Sequence, residues 1–231
     1  LSDQVRPLTD DERFRFRCHP GVSCFTECCR ELELALSPYD VLRLARRLGL
    51  TTAEFLDRYT LMEQADEELF PRVFLAMVDD GRASCPFVGP KGCTVYSDRP
   101  APCRSYPLGR GASLKADGSV TVLHVLLTEP HCQGFNEPTE QDVAAWTADQ
   151  ELAAYHRMND LLLRLVQHPQ AKSGWRPSEA ECHRYLTALY DLDRFRSELP
   201  ATTPDRTRLL ENDEALLAGA IDQLIREFYG D

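Results

Sequence analysis

The chain has 231 residues, enough for a sizeable hydrophobic core, so smallness alone gives it no need of a metal. Its formal net charge of -11 excludes a general nucleic-acid binder, because neutralising phosphates takes a surplus of Lys and Arg. The longest apolar run, Val120 to Leu127, is interrupted by Thr121 and His124 and falls short of the roughly 20 residues that span a bilayer, which excludes a membrane-spanning helix.

Taken in chain order, the polar start closes on Arg13-Phe14-Arg15-Phe16-Arg17, whose alternation predicts a short strand leading into Cys18. Residues 18 to 29 read as a loop. Ser37-Pro38-Tyr39-Asp40 then places a cap, a first-turn proline and an acid where a helix starts, and Gly49 ends that helix. Thr51 and Glu54 have capping-box spacing and open a second helix. Arg72 to Val78 is strand-like, Asp79-Asp80-Gly81 is a turn, and Cys85 to Pro107 is rich in Pro and Cys, so irregular backbone is expected there. Ala116 to Ser119 is a hairpin turn between a strand ending near Leu114 and the strand Val120 to Leu127. Three helical stretches follow, 139 to 167, 178 to 198 and about 205 to 229, punctuated by Pro169, Pro177, Pro200 and Pro204.

The nine cysteines carry the chemistry. An odd number, two of them adjacent, is a poor disulfide framework, and reduced thiols in the cytosol are the better reading. Eight fall before residue 133, as Cys18-x5-Cys24-x3-Cys28-Cys29, Cys85-x7-Cys93-x9-Cys103 and Cys132. They coincide with Gly, Pro and turn residues rather than with an apolar period, and short loops turn thiolates toward one ion at little ordering cost. These eight are the expected metal ligands. Cys182 lies instead among Tyr185, Leu186 and Leu189 on a predicted amphipathic helix and reads as a small buried hydrophobe. His156 and Asp160, four apart on a helix, read as a polar helix face rather than an acid-base pair.

The segments Cys85-Pro86-Phe87, Gly92-Cys93-Thr94-Val95-Tyr96, Arg99-Pro100, Cys103-Arg104-Ser105-Tyr106-Pro107 and Cys132-Gln133-Gly134, behind a cluster ending Cys28-Cys29, resemble the YkgJ family of CxxCxxCC cysteine-cluster domains. The resemblance covers about residues 16 to 135. It implies a bacterial cytoplasmic protein that chelates zinc or iron through these cysteines. One branch of that family, the flagellin lysine methylases, is associated with an iron-sulfur cluster and methyl transfer to protein lysines.

Two metals are compatible with the pattern. An iron-sulfur cluster, [4Fe-4S] in the preferred reading, takes Cys thiolates in an apolar enclosure, and Phe25, Phe87, Tyr96 and Tyr106 lie close in sequence. Zinc takes four thiolates per ion, so eight thiols make two closed sites or one shared site. Adjacent Cys28 and Cys29 are expected to serve different centres, or one of them to be a spare thiol. His19 and His131 are the candidates to replace a thiolate. Arg17, Arg30, Arg99 and Arg104 flank the cysteines, and Arg104, directly after a ligand, is the preferred cation outside the ligand shell. The expectation is an α+β chain, predominantly α, with a Cys-rich metal domain over 1–136 containing a small hairpin and a helical region over 137–231. The corresponding functions are an iron-sulfur protein with a redox or protein-modifying role, or a zinc module that shapes a surface for another protein.

Overall fold

The computed structural model describes residues 4–230. The fold is α+β and mainly α, with 44% helix and 18% strand in small antiparallel sheets. Three short strands come first, β1 (Val5–Leu8), β2 (Phe14–Arg15) and β3 (Ala35–Leu36). In α1 (Pro38–Leu48) the Ser37 hydroxyl accepts the Asp40 N–H while the Asp40 carboxylate accepts the Ser37 N–H, and Gly49 closes the helix at φ +66°. Thr51 and Glu54 do the same for α2 (Thr52–Tyr59). The chain continues through β4 (Thr60–Glu63), β5 (Arg72–Leu75), β6 (Val88–Gly89), β7 (Gly92–Cys93), α3 (Ala101–Ser105), β8 (Leu108–Leu114), β9 (Val120–Leu127) and β10 (Glu140–Gln141).

The C-terminal part has more breaks than its proline punctuation predicts. It contains α4 (Val143–Asp149), α5 (Ala153–Val166), α6 (Pro169–Lys172), α7 (Glu179–Leu189), α8 (Leu192–Glu198), α9 (Arg206–Glu211) and α10 (Asp213–Tyr229). The second and third predicted stretches are each divided where an Asp or Asn starts a new helix, and the first, whose residues 140–141 form a strand, starts its helix at Asp142 and is divided at Glu151. Asp142, Asp191 and Asn212 accept the N–H of Ala145, Arg194 and Ala215, respectively, and Glu151 adopts φ +52° between α4 and α5.

The chain forms two compact units and passes between them more than once. One comprises Leu1–Leu34 and Ala76–Ala154, the other Ala35–Leu75 and Tyr155–Asp231. In the first, β1, β9 and β8 form an antiparallel sheet with Val5 opposite Leu127 and Leu108 opposite Leu126. β2 pairs with β10. Leu8, Phe14, Phe16, Leu108, Leu126, Val143 and Trp146 form the buried core, with Tyr106, Cys132 and Phe135 packed against it. The predicted alternation of Arg13 to Arg17 is realised here, since Phe14 and Phe16 point inward.

The second unit buries Leu44, Phe55, Leu189, Leu192, Leu216, Ile221 and Leu224 around a sheet ordered β3-β5-β4. Arg46 of α1 bridges Asp193 at 2.6 Å and Asp213 at 2.8 Å, tying α8 and α10 to α1. Asp193 also accepts the Thr52 N–H at 2.9 Å. The Arg46 hydrogen bond holds the Asp193 carboxyl below its usual range, and at Asp213 the same Arg46, with Arg196, outweighs the opposing effect of burial. A depressed carboxyl stabilises the fold above its unfolded pKa of about 4, and that stability is lost as pH falls through the folded value. Arg46→Ala should therefore cost about 1–2 kcal/mol at pH 7, the lower part of the range because Arg46 is partly exposed. In urea titrations at several pH values, the difference from wild type should shrink as the solution is acidified below pH 4.

Candidate metal centre

None of the nine cysteines is in a disulfide, and the eight predicted ligands all belong to the first unit. Cys182 lies in the second, half-buried on α7 and hydrogen-bonded to Gln64. The loop from Cys18 ends in a 3-10 turn over Glu27–Cys29 and is held by main-chain bonds to two distant segments. At its C-terminal end Arg30 bridges Ser84, the Cys85 N–H donates to the Cys29 carbonyl at 2.8 Å, and the Glu31 N–H donates to the Ala83 carbonyl at 2.9 Å. This short ladder sets Cys85 beside Cys29. The Val88 N–H donates to the Cys85 carbonyl at 3.1 Å, and Val88 pairs with Cys93 across β6 and β7, so Cys85 and Cys93 share one folded loop.

The N-terminal part of the cysteine loop is held by residues 132 to 139. The Arg17 N–H donates to the Gly134 carbonyl at 3.0 Å and the Phe16 N–H to the Thr139 carbonyl at 3.2 Å. The Gln133 N–H donates to the Cys24 sulfur at 3.1 Å. Only glycine fits at 134, because a Cβ there would lie 2.7 Å from the Phe16 ring and 3.0 Å from the Arg17 carbonyl oxygen. Gly92, at φ +109°, admits the Phe25 ring at 2.9 Å from where a Cβ would be, bringing the first cluster against the strand of Cys93.

The thiols influence one another strongly. Cys29 donates a hydrogen bond to Cys28, which brings Cys28 down to about 7 despite burial and the charge of Glu129; Cys29 is raised in consequence, and burial adds to the rise. Burial, then the charges of Cys28, Cys24 and Cys132, push Cys18 up to about 11. Burial raises Cys85, Cys93 and Cys132 as well, opposed at Cys85 by the Phe87 N–H, which reaches its sulfur at 3.4 Å. A cation bound in place of the protons would relieve this repulsion, the usual driving force for thiolate coordination.

The arginines divide into two roles. Arg104 is 3% exposed, and its guanidinium donates to the carbonyls of Arg99 at 3.1 Å, Gln150 at 2.8 Å and Ser97. It thereby clamps α3 to the end of α4. Arg99 also lies buried, 3.8 Å from the Tyr96 ring centroid, donating to the Tyr96 carbonyl at 2.6 Å and to the Gln150 side chain. Its charge reaches Cys18, Cys93 and Cys103. Arg30 donates to the Thr26 carbonyl at 2.7 Å and helps lower Cys28. Arg30, Arg99 and Arg104 are all visible in the sequence, but only the fold shows Arg99 to be the one whose charge acts on three thiols. The sequence also conceals the Gln133 and Phe87 N–H groups, since every residue but proline carries one.

The histidines are engaged elsewhere. His19 accepts the Gly21 N–H at Nδ1, 3.1 Å, and pairs through Nε2 with Glu137 at 3.2 Å; His131 faces Glu129 at 3.6 Å. Soft sulfur with N–H donors directed at it suits zinc or iron. A single ion with four thiolates at about 2.3 Å needs its sulfurs about 3.8 Å apart. Among the described residues no three Cys, His, Asp or Glu side chains are gathered in that way, so closure on one ion requires cysteine rotamers to turn.

Residues 17–133, half of the chain, match the model of the CxxCxxCC family, described as a zinc- or iron-chelating domain. No curated protein and no solved structure matches the chain. Among the described residues no helix is long and apolar enough to cross a membrane. The clamp role of Arg104 has a direct test: Arg104→Gln leaves buried carbonyls without their donor and should lower stability by about 2–4 kcal/mol, measured by urea denaturation of the metal-free chain.

Proposed function

The chain belongs to the CxxCxxCC family, and from that membership we propose that it binds an iron-sulfur cluster through Cys18, Cys24, Cys28, Cys29, Cys85, Cys93, Cys103 and Cys132. The observation that carries this reading is the pair of main-chain N–H groups directed at sulfur, from Gln133 to Cys24 and from Phe87 to Cys85. Such donors disperse the negative charge of a thiolate and help set the potential of a cluster, and as main-chain groups they are held in place by the fold. The engaged histidines leave sulfur as the donor type, and Arg99 supplies a buried positive charge that balances an anionic centre. Phe87 and the Phe25 ring provide apolar cover beside Cys85 and Cys93.

When bound, an iron-sulfur cluster supplies one-electron chemistry or an open iron for a small ligand. The residues of this chain would hold it and tune it: the cysteines would ligate, the Gln133 and Phe87 N–H groups would donate to sulfur, and the Arg99 charge would offset that of the thiolates.

Protein purified anaerobically should be brown, with iron and acid-labile sulfide in equal amounts and visible charge-transfer absorption. Colourless protein carrying stoichiometric zinc would replace the cluster with structural zinc, and the search would turn to a protein partner. Cys85→Ser and Cys103→Ser should each lower bound metal and soluble yield together, because binding energy is partly folding energy. Unchanged metal content in both variants would remove these cysteines from the ligand set.

A further inference from the structure

The sheet of the second unit is closed on one side and open on the other. Its strands run in the order β3-β5-β4. At the β3 edge the buried Tyr190 hydroxyl donates to the Leu36 carbonyl at 3.1 Å, so a side chain of the same unit engages a main-chain acceptor there. β4 forms the other edge. It pairs with β5 in unbroken antiparallel register, from Thr60 opposite Leu75 to Glu63 opposite Arg72. Alternate residues of such a strand direct their N–H and C=O groups away from the partner strand. Among the described residues, no main-chain group of Leu61, Met62 or Glu63 bonds to a segment other than β5.

Exposed edges are ordinarily guarded by Lys, Pro, a bulge or a covering element. β4 has neither Lys nor Pro, and its continuous register leaves no bulge to twist the edge away. Instead it carries Leu61 and Met62, 56% and 48% exposed, as neighbours that point to opposite faces. The chain that leaves it is acidic. Glu63, Asp66 and Glu67 are exposed and, among the described residues, take part in no ion pair, whereas Glu68 is held by Arg72 at 3.1 Å. No basic residue occurs between Arg58 and Arg72.

We propose that β4 is a docking edge for an extended basic segment of another protein, one that alternates apolar residues with Lys or Arg and adds to the three-stranded sheet as a further strand. The main chain of that segment supplies partners for the outward groups of β4, its apolar residues cover Leu61 and Met62, and its cations meet Glu63, Asp66 and Glu67. A second copy of this chain lacks the matching charge. At a net charge of -11 the copies repel, and pairing β4 with β4 would leave both acidic loops without a cation.

The test uses the full chain and a capped peptide of alternating Val and Lys, about eight residues long, within the usual length of a strand. Calorimetry should register binding that weakens as salt is added, and hydrogen exchange should show the amides of residues 60–63 slowed in the complex. Leu61→Lys and Glu63→Lys, both at exposed positions, should each weaken binding about tenfold. Two further peptides separate strand addition from charge alone. One alternating Val and Glu should not bind, and one with Pro in place of each Val, which favours a polyproline II conformation at the same charge, should bind about tenfold more weakly or less.

The wild-type measurements stand even if a variant fails to fold. No binding of the Val-Lys peptide, equal binding of the Pro-containing peptide, or protection confined to residues other than 60–63 would each overturn the docking edge. A concentration-dependent dimer that protects the same amides without taking up the peptide would overturn it too, and would give the edge to a second copy.

Discussion

Burial of several thiols in one region, with their mutual repulsion added to it, is the constraint around which the first unit is organised. Eight sulfurs gathered by one short loop and its neighbours cannot all ionise in water-poor surroundings, and the rise of Cys18 to about 11 records this cost. The fold answers with main-chain donors at Cys24 and Cys85 and a buried guanidinium at Arg99. A multivalent cation is the remaining counter-charge, and it turns an arrangement that resists ionisation into one that gains from it.

The scaffold that holds the sulfurs is mostly backbone. The ladder of Glu31 with Ala83 and Cys29 with Cys85, and the bonds from Arg17 to Gly134 and Phe16 to Thr139, join segments far apart in the chain. Behind them lies an aromatic core in which the Phe16 ring meets those of Tyr106, Phe135 and Trp146 edge-on. The Trp146 indole N–H donates to the Ser105 carbonyl at 2.8 Å, next to the helix that carries Cys103. Packed aromatic rings thus stand directly behind the thiol-bearing segments.

The second unit follows different rules. Its helices are specified by caps at Ser37, Thr51 and Ser178 and by a broad apolar core, and Arg46 ties three helices through two carboxylates. Its single cysteine, Cys182, sits on a helix face as a half-buried thiol.

Local chemistry was legible from the sequence wherever it depends on neighbours in the chain. The capping boxes at Ser37 and Thr51, the Gly49 stop, the hairpin through Gly118, the inward Phe14 and Phe16 and the separation of eight cysteines from Cys182 all follow from residue type and spacing. The helix starts at Asp142, Asp191 and Asn212 were present as capping residues, but an acid or amide inside an amphipathic run is equally at home on a solvated face. Tertiary structure alone decided that residues 35–75 join the C-terminal helices, that Cys85 lies beside Cys29 and Cys132 beside Cys24, and that the Arg99 charge reaches the thiols while Arg104 clamps carbonyls. The reason is physical: caps and turns are satisfied by groups a few residues away, whereas main-chain donors and buried charges find partners only when distant segments meet.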